Sequence, residues 1–395
     1  MIKRFLAEKL IRSASQYPVV TVTGPRQSGK TTLVRMVFQN YRYVSLENPD
    51  HRNFALTDPR GFLNQFQNGV ILDEVQRIPE LFSYIQSIVD EDDQPGKFIL
   101  TGSQNFLLMG QISQSLAGRT AILHLLPFSL RELSGARSFH PDNFPDIMAG
   151  ISSSDLWENL LTGFYPRIHD KNLDARDWLA WYYQTYVERD VRSVINIGDL
   201  ETFGRFIRLC AGRCGQITNF SSLAADCGIS NMTAKRWLSV LQTSFVLIQL
   251  RPHYENFNKR LIKAPKLYFV DTGLLAFLLG IKNIDELKYH SSRGAIFESF
   301  VLSELYKSYL NNGLIPDIYY WRDVKNHEVD FLLDRGSSVL PIEAKSGETI
   351  TRDSFRGLQY YRKLAGDRSN QPVLLYGGND SFVRHDIQVL SWQNL

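Results

Sequence analysis

The residues best suited to chemistry stand near the start of the chain, in GPRQSGKT at positions 24–31, which fits G-x-x-x-x-G-K-[ST] in full. The β-rich run YPVVTVT precedes it and a helical pattern follows, so the loop has the strand and helix that such a motif needs. Gly24 and Gly29 let the backbone turn its N–H groups inward around phosphate oxygens. Pro25, Arg26, Gln27 and Ser28 complete a loop that opens onto a helix N-terminus, where anions are favoured. Lys30 is spaced to reach the β- and γ-phosphates and Thr31 offers Mg²⁺ a hard oxygen, with Thr32 beside it at the start of the helix. The chemistry expected is the binding of a nucleoside triphosphate with Mg²⁺.

A second element supplies what hydrolysis would need. GVILDEVQRIPEL, from position 69, is an apolar strand ending in Asp73 and Glu74. Asp73 is expected to contact Mg²⁺ through water, and Glu74 to orient and polarise the attacking water. KFILTGSQN ends the next strand in Thr101, Ser103 and Gln104, at the carboxyl edge where ligands of open α/β sheets bind. Ser103 or Gln104 can sense the γ-phosphate, or the segment is an ordinary polar loop. Arg119, in SLAGRTAIL, is either a surface arginine or an arginine finger offered to the nucleotide of a neighbouring copy, which would make the protein a homo-oligomer.

A separate constellation lies near the other end. In PIEAKSG, positions 341–347, Glu343 and Lys345 are two apart on a β-like run and so share a face. Asp330 lies on the preceding run, HEVDFLL, and Glu298 on a helix, GAIFESF. If the two runs pair as a hairpin, Asp330 approaches Glu343, and with Glu298 they would bind one or two Mg²⁺ ions by oxygen ligation. Lys345 would add charge stabilisation or help to deprotonate water. This is the logic of the PD-(D/E)XK nuclease fold. The alternative is a scaffold in which Asp330 and Glu343 pair with Lys345 or Arg322.

The elements that must position these groups follow from the hydrophobic pattern. β-like runs at 43–46, 69–73, 97–101 and 121–125 alternate with helical patterns, which argues for a parallel α/β sheet. Residues 128–199 read mostly helical, as a helical lid or linker domain would. Within 200–288, FSSLAADCGISNMTAKRWLSVLQ has helix-turn-helix spacing, with Thr233, Lys235 and Arg236 on a second helix whose Trp237, Leu238 and Leu241 would face the core. Arg251, His253, Lys259, Arg260, Lys263 and Lys266 interleave with Tyr254 and Phe257 as a nucleic-acid face would, although such modules in ATPases also serve as lids or subunit contacts. From position 289 the order is αβββαβ.

The division expected is therefore 1–127, 128–199, 200–288 and 289–395, and 395 residues suffice for several cores. Apolar and charged fractions of 44% and 22% exclude default disorder, and the net charge of +3 permits DNA contact without demanding it. No run is long enough to span a bilayer and no signal segment is evident, so a cytoplasmic protein with no membrane partner is expected. Cys210, Cys214 and Cys227 lack the paired spacing of a zinc site and read as reduced, structural thiols. The Asp-Thr-Gly of YFVDTGLL invites an aspartic-protease reading, but that chemistry needs two such triplets, so Asp271 or Thr272 is read as a helix N-cap.

Taken in series, GPRQSGKTTL, LDEVQRIPEL, LTGSQ, SLAGR, YVERDV, ISNMTAKRWL, YFVDTGL and HEVDFLL…PIEAK resemble a prokaryotic family of AAA-plus ATPases whose members carry a C-terminal domain of unknown function. The resemblance covers nearly the whole chain. It implies an additional-strand ATPase fold, hydrolysis of ATP, a winged helix and a restriction-endonuclease-like C-terminal α/β domain. Two functions follow as expectations: an ATP-dependent enzyme that acts on DNA and cuts it, or a nucleotide-dependent switch whose nuclease-like domain is inactive and binds a partner.

Overall fold

Five short apolar strands build the first sheet: β1 (Val19–Gly24), β2 (Arg42–Ser45), β3 (Val70–Asp73), β4 (Phe98–Ser103) and β5 (Thr120–His124). β1 is buried along its whole length, as a central strand of a sheet covered on both faces must be. The order is β2-β3-β4-β1-β5 with every pairing parallel, so an additional strand, β4, stands between β1 and β3. Alternation assigns the faces. Val70, Leu72, Phe98 and Leu100 pack with Phe62, Phe82 and Ile85, while Ile71, Ile99, Val20 and Val22 pack with Leu6, Leu10, Leu33 and Val34. This arrangement brings the carboxyl ends of β1, β3 and β4 side by side, where the polar residues lie.

The computed structural model describes residues 2–103, 115–145, 150–151, 155–187, 200–253 and 264–395. Gln104, most of the YVERDV motif, Tyr254, Phe257, Lys259, Arg260 and Lys263 lie outside the described residues. The chain divides into two compact units. The first is Met1–Phe128 with Thr243–Phe245 and Leu310–Leu314; the second is Ser129–Gln242 with Val246–Tyr309 and Ile315–Leu395.

The second unit opens with a capping box, Ser129 and Glu132 bonding reciprocally at the helix Leu130–Ser134. Short helices follow at Leu156–Thr162, Pro166–Lys171 and Ala175–Tyr182, and then a group at Leu200–Gly212, Phe220–Cys227 and Asn231–Thr243. Two antiparallel strands, β6 (Leu247–Leu250) and β7 (Lys266–Phe269), complete that group, and Ile217 adds an antiparallel bridge to Lys266. Trp237, Leu238 and Leu241 are buried as the pattern implies, and Lys235 and Arg236 are exposed. Asp271 caps the helix Thr272–Leu278 by accepting from the Leu274 N–H at 2.8 Å, and it also accepts from the Phe164 N–H at 2.7 Å. All three cysteines are buried thiols outside any disulfide among the described residues.

The C-terminal sheet is mixed. β8 (Ile318–Arg322), β9 (Glu328–Asp334) and β10 (Val339–Lys345) form an antiparallel meander, and β11 (Val373–Tyr376) runs parallel to β10 after the helix Arg356–Ala365. Two strands that the sequence pattern did not announce follow, β12 (Phe382–Arg384) and β13 (Ile387–Ser391), giving the order β12-β13-β11-β10-β9-β8. They escape notice because their turn is His385-Asp386, both at positive φ (56° and 57°), where a hairpin normally advertises itself with glycine or asparagine. No described helix is long and apolar enough to cross a membrane.

Candidate nucleotide site and acidic cluster

At the carboxyl end of β1 the chain turns through three positive-φ residues, Gly24 (150°), Gln27 (62°) and Gly29 (90°). A Cβ on Gly24 would run into the carbonyl oxygen of Leu125, so glycine is required there for close approach. Arg4 fixes the loop from outside, donating to the carbonyls of Ser28 at 2.8 Å and Leu126 at 2.6 Å. Among the described residues the buried Ser28 hydroxyl has no hydrogen-bond partner. Lys30 is 6% exposed, and its Nζ donates to the carbonyls of Gly24 (3.1 Å) and Pro25 (2.8 Å). Burial lowers its pKa to about 8, against the pull of Glu74 and Asp73. Pro25 is buried, Arg26 half-buried, and Thr32 exposed on the first helical turn.

Asp73 is the hub of the site. Its carboxylate accepts from Thr31 Oγ1 at 3.1 Å to both oxygens, from the Tyr43 hydroxyl at 2.7 Å, and from the Thr101 hydroxyl. Burial and then this bond push the Tyr43 phenol up to about 12, so it stays a donor. Glu74 takes a left-handed conformation (φ 57°), and its carboxylate accepts from the Gln76 amide, which also donates to Ser103 Oγ at 3.3 Å. Tyr43 and Gln76 were not read from the sequence; Tyr43 carried a signal, since β2 must lie beside β3 in such a sheet. The donor set fits a nucleotide with its magnesium: a glycine cradle, an orphaned buried hydroxyl, a buried cation, and a hydroxyl against a carboxylate.

Arg119 lies at the other end of the sheet. Thr120 pairs with Val19, and the length of β1, roughly 17–20 Å for six extended residues, separates that end from Gly24. Its guanidinium makes a two-pronged pair with Asp90, one contact at 3.0 Å, and donates to the Ala117 carbonyl at 3.2 Å.

In the second unit the register Ile342↔Phe331 brings Glu343 beside Asp330. Lys345 Nζ lies 2.6 Å from Glu343 Oε1 and 3.7 Å from Asp330 Oδ2, and Asp330 also accepts from the Ala344 N–H at 3.0 Å. Glu298 accepts from the Tyr268 hydroxyl at 2.9 Å, and Lys266 is ion-paired with Glu328, which also takes Arg322 at 3.1 Å. Burial, and then the Asp330 charge, raises the pKa of both Glu298 and Glu343. The four residues expected to act together are thus one electrostatic cluster. Each carboxylate, however, already has a protein donor or cation, and among the described residues no three His, Cys, Asp or Glu side chains are arranged to hold a metal ion. The Mg²⁺ expected at Glu298, Asp330 and Glu343 does not fit this arrangement. Arg322 binds Glu328 rather than Asp330 or Glu343.

The basic face expected after position 250 also needs correction. Lys266 is buried, and so is His253, whose Nε2 lies 3.3 Å from Asp334 Oδ2. Arg251 is exposed.

Comparison with known proteins adds family to geometry. An AAA domain family matches residues 16–134, a domain of unknown function (DUF8612) matches 153–285, and another (DUF4143) matches 293–395. Uncharacterized proteins of Mycobacterium bovis and Mycobacterium tuberculosis are each 33% identical over 98% of this chain and 82% of their own length. Among solved structures, a Walker-type ATPase of Pyrococcus abyssi aligns with 15% identity and a TM-score of 0.45 over 69% of this chain and 94% of its own. The first unit holds an AAA-type P-loop ATPase domain that binds ATP.

Proposed function

The chain belongs to the family of AAA-domain proteins that includes the two mycobacterial relatives, and from that premise we propose that it hydrolyses ATP as a nucleotide-driven switch whose nuclease-like C-terminal domain serves as an interaction module. The observation that carries the hydrolytic half is Asp73, held by three hydroxyls and only 3.1 Å from Thr31 Oγ1. Thr31 and Asp73 would hold Mg²⁺, which supplies charge neutralisation at the β- and γ-phosphate oxygens. The loop 24–31 cradles the phosphates through its N–H groups, and Lys30 exchanges two carbonyl partners for phosphate oxygens. Glu74, once released by Gln76, orients the attacking water and takes its proton. Ser103, bonded to the same amide, is suited to report the γ-phosphate. Arg119, at the far end of the sheet and paired with Asp90, is placed as a surface arginine would be; as an arginine finger it would serve only the nucleotide of a neighbouring copy in a homo-oligomer.

For the second unit we divide the chain into a helical lid (128–199), a winged helix (200–288) and a PD-(D/E)XK-like domain (289–395). Three helices followed by a two-stranded hairpin support the winged helix, and a meander with a parallel fourth strand supports the nuclease-like fold. Exposed Lys235 and Arg236 would face DNA if it is bound. The paired state of Asp330, Glu343 and Glu298 favours binding over cutting. A second reading, cleavage of DNA, is supported by Asp330, Glu343 and Lys345 lying together.

The test is phosphate release from ATP with Mg²⁺, together with plasmid integrity. Lys30→Ala and Glu74→Gln should each lower turnover by about 100-fold or more, and plasmid should stay intact. Unchanged turnover in both variants would sink the hydrolytic role. Cleavage by the wild type that is abolished in Lys345→Ala would replace the interaction reading with the nuclease one.

A further inference from the structure

Glu74 and Ser103 share one side-chain amide, that of Gln76. This residue stands on the short 3₁₀ turn Val75–Arg77, which closes the carboxyl end of β3. Its Nε2 carries two N–H groups and both are in use: one is donated to Glu74 Oε2, the other to Ser103 Oγ at 3.3 Å. Ser103 is the last residue of β4, which lies between β3 and β1, so the amide bridges two strand ends on the edge where the phosphate loop opens. The left-handed backbone at Glu74 (φ 57°) allows this, because it turns the chain back on itself and lets residues 74 and 76 meet.

The two bonds are unequal. Glu74 takes its N–H as a carboxylate, in a charge-assisted bond, whereas the contact with the Ser103 hydroxyl is long for N–H···O. The other end of the amide is unsatisfied: Gln76 Oε1 is buried with no hydrogen-bond partner among the described residues. Flipping the amide brings no relief, since it would set Oε1 against the Glu74 carboxylate. The resting contact therefore carries the cost of an unpaired buried acceptor, and an arrangement that gives Oε1 a donor competes with it. A γ-phosphate shifts the balance in one direction. Accepting from the Ser103 hydroxyl makes the Ser103 oxygen a stronger acceptor for the amide, while the phosphate charge attracts the N–H groups and repels the Glu74 carboxylate. Both effects draw Gln76 away from Glu74 and toward Ser103.

We infer that Gln76 is a latch on Glu74 that the γ-phosphate opens through Ser103. Without a γ-phosphate the amide keeps the Glu74 carboxylate engaged; a γ-phosphate at Ser103 takes the amide over and frees the carboxylate to receive a proton from water. Gln76 is then a positioning residue, and Ser103 governs turnover by way of it. The inference rests on the hydrolytic reading of Glu74 and Ser103, and it can fail while that reading stands.

The test is steady-state hydrolysis of ATP with Mg²⁺ by the full-length chain, with kcat and KM separated, in the wild type, Ser103→Ala, Gln76→Met and the double variant. Gln76→Met keeps the length of the side chain and removes the amide. Ser103→Ala should lower kcat by about tenfold or more and leave KM within about threefold, because the latch stays shut while the phosphate loop still binds. Gln76→Met should turn over at least as fast as the wild type, and adding Ser103→Ala to it should change kcat by less than about twofold. Gln76→Leu gives the same comparison should Gln76→Met fail to fold. An equal loss from Ser103→Ala with and without Gln76 would overturn the latch and leave hydrolysis by Glu74 intact. So would a kcat in Gln76→Met as low as that of Glu74→Gln, which would make the amide a support of the base. Full turnover in Glu74→Gln would remove the base itself, and the latch with it.

Discussion

Two buried lysines in this chain have opposite electrostatics. Among the described residues Lys30, 6% exposed, has only the carbonyls of Gly24 and Pro25 as hydrogen-bond partners, and burial lowers its pKa to about 8. Lys266, 3% exposed, is ion-paired with Glu328, and the neighbouring carboxylates raise its pKa in spite of burial. A buried cation without an ion pair is costly and signals a site built to receive an anion. One with carboxylates on its own chain signals a contact already made. The first site is therefore poised for ligand, and the second is satisfied by the fold.

The comparison breaks most readily at stability. Lys266→Met removes the buried cation paired with Glu328, which keeps Arg322 alone, and should cost about 3–5 kcal/mol, read as a lower denaturation midpoint. Lys30→Met removes a cation that has no ion pair among the described residues and should leave the midpoint unchanged or higher when no nucleotide is added. Equal losses in the two variants would erase the distinction. A smaller effect sharpens it: Tyr43→Phe removes the 2.7 Å donor to Asp73 and should weaken ATP–Mg²⁺ binding by about 1 kcal/mol, a few-fold in Kd by calorimetry. An unchanged Kd would mean that the Asp73 hub does not depend on Tyr43.

The two regions were also unequally legible in the sequence. The phosphate loop and its strand partners are local patterns: glycines at fixed spacing, apolar runs ending in Asp73-Glu74, and alternation that sorts Ile71 from Val70 and Leu72. The order of elements likewise brought Glu298, Asp330, Glu343 and Lys345 into one neighbourhood. Lys345 was readable as the partner of Glu343 and Asp330, whereas Tyr268 on Glu298 and Lys266 on Glu328 were not, because β7 arrives from a different part of the chain and charge order does not say which face a strand turns inward. Lys266 and His253 looked like part of a basic surface for the same reason, yet both are buried against acids. Gln76 could not be assigned to Glu74 from spacing alone, since the contact depends on the left-handed turn at Glu74.

The central claim is that Lys30 is a buried cation held ready for the phosphates of ATP. Its most direct test is calorimetric titration of ATP with Mg²⁺ into the wild type, Lys30→Met and Lys266→Gln. The account predicts saturable binding to the wild type, binding retained in Lys266→Gln, and loss of at least about 2 kcal/mol of affinity in Lys30→Met, the scale of a charge-assisted hydrogen bond to phosphate. ATP binding of equal strength in Lys30→Met and wild type would contradict it.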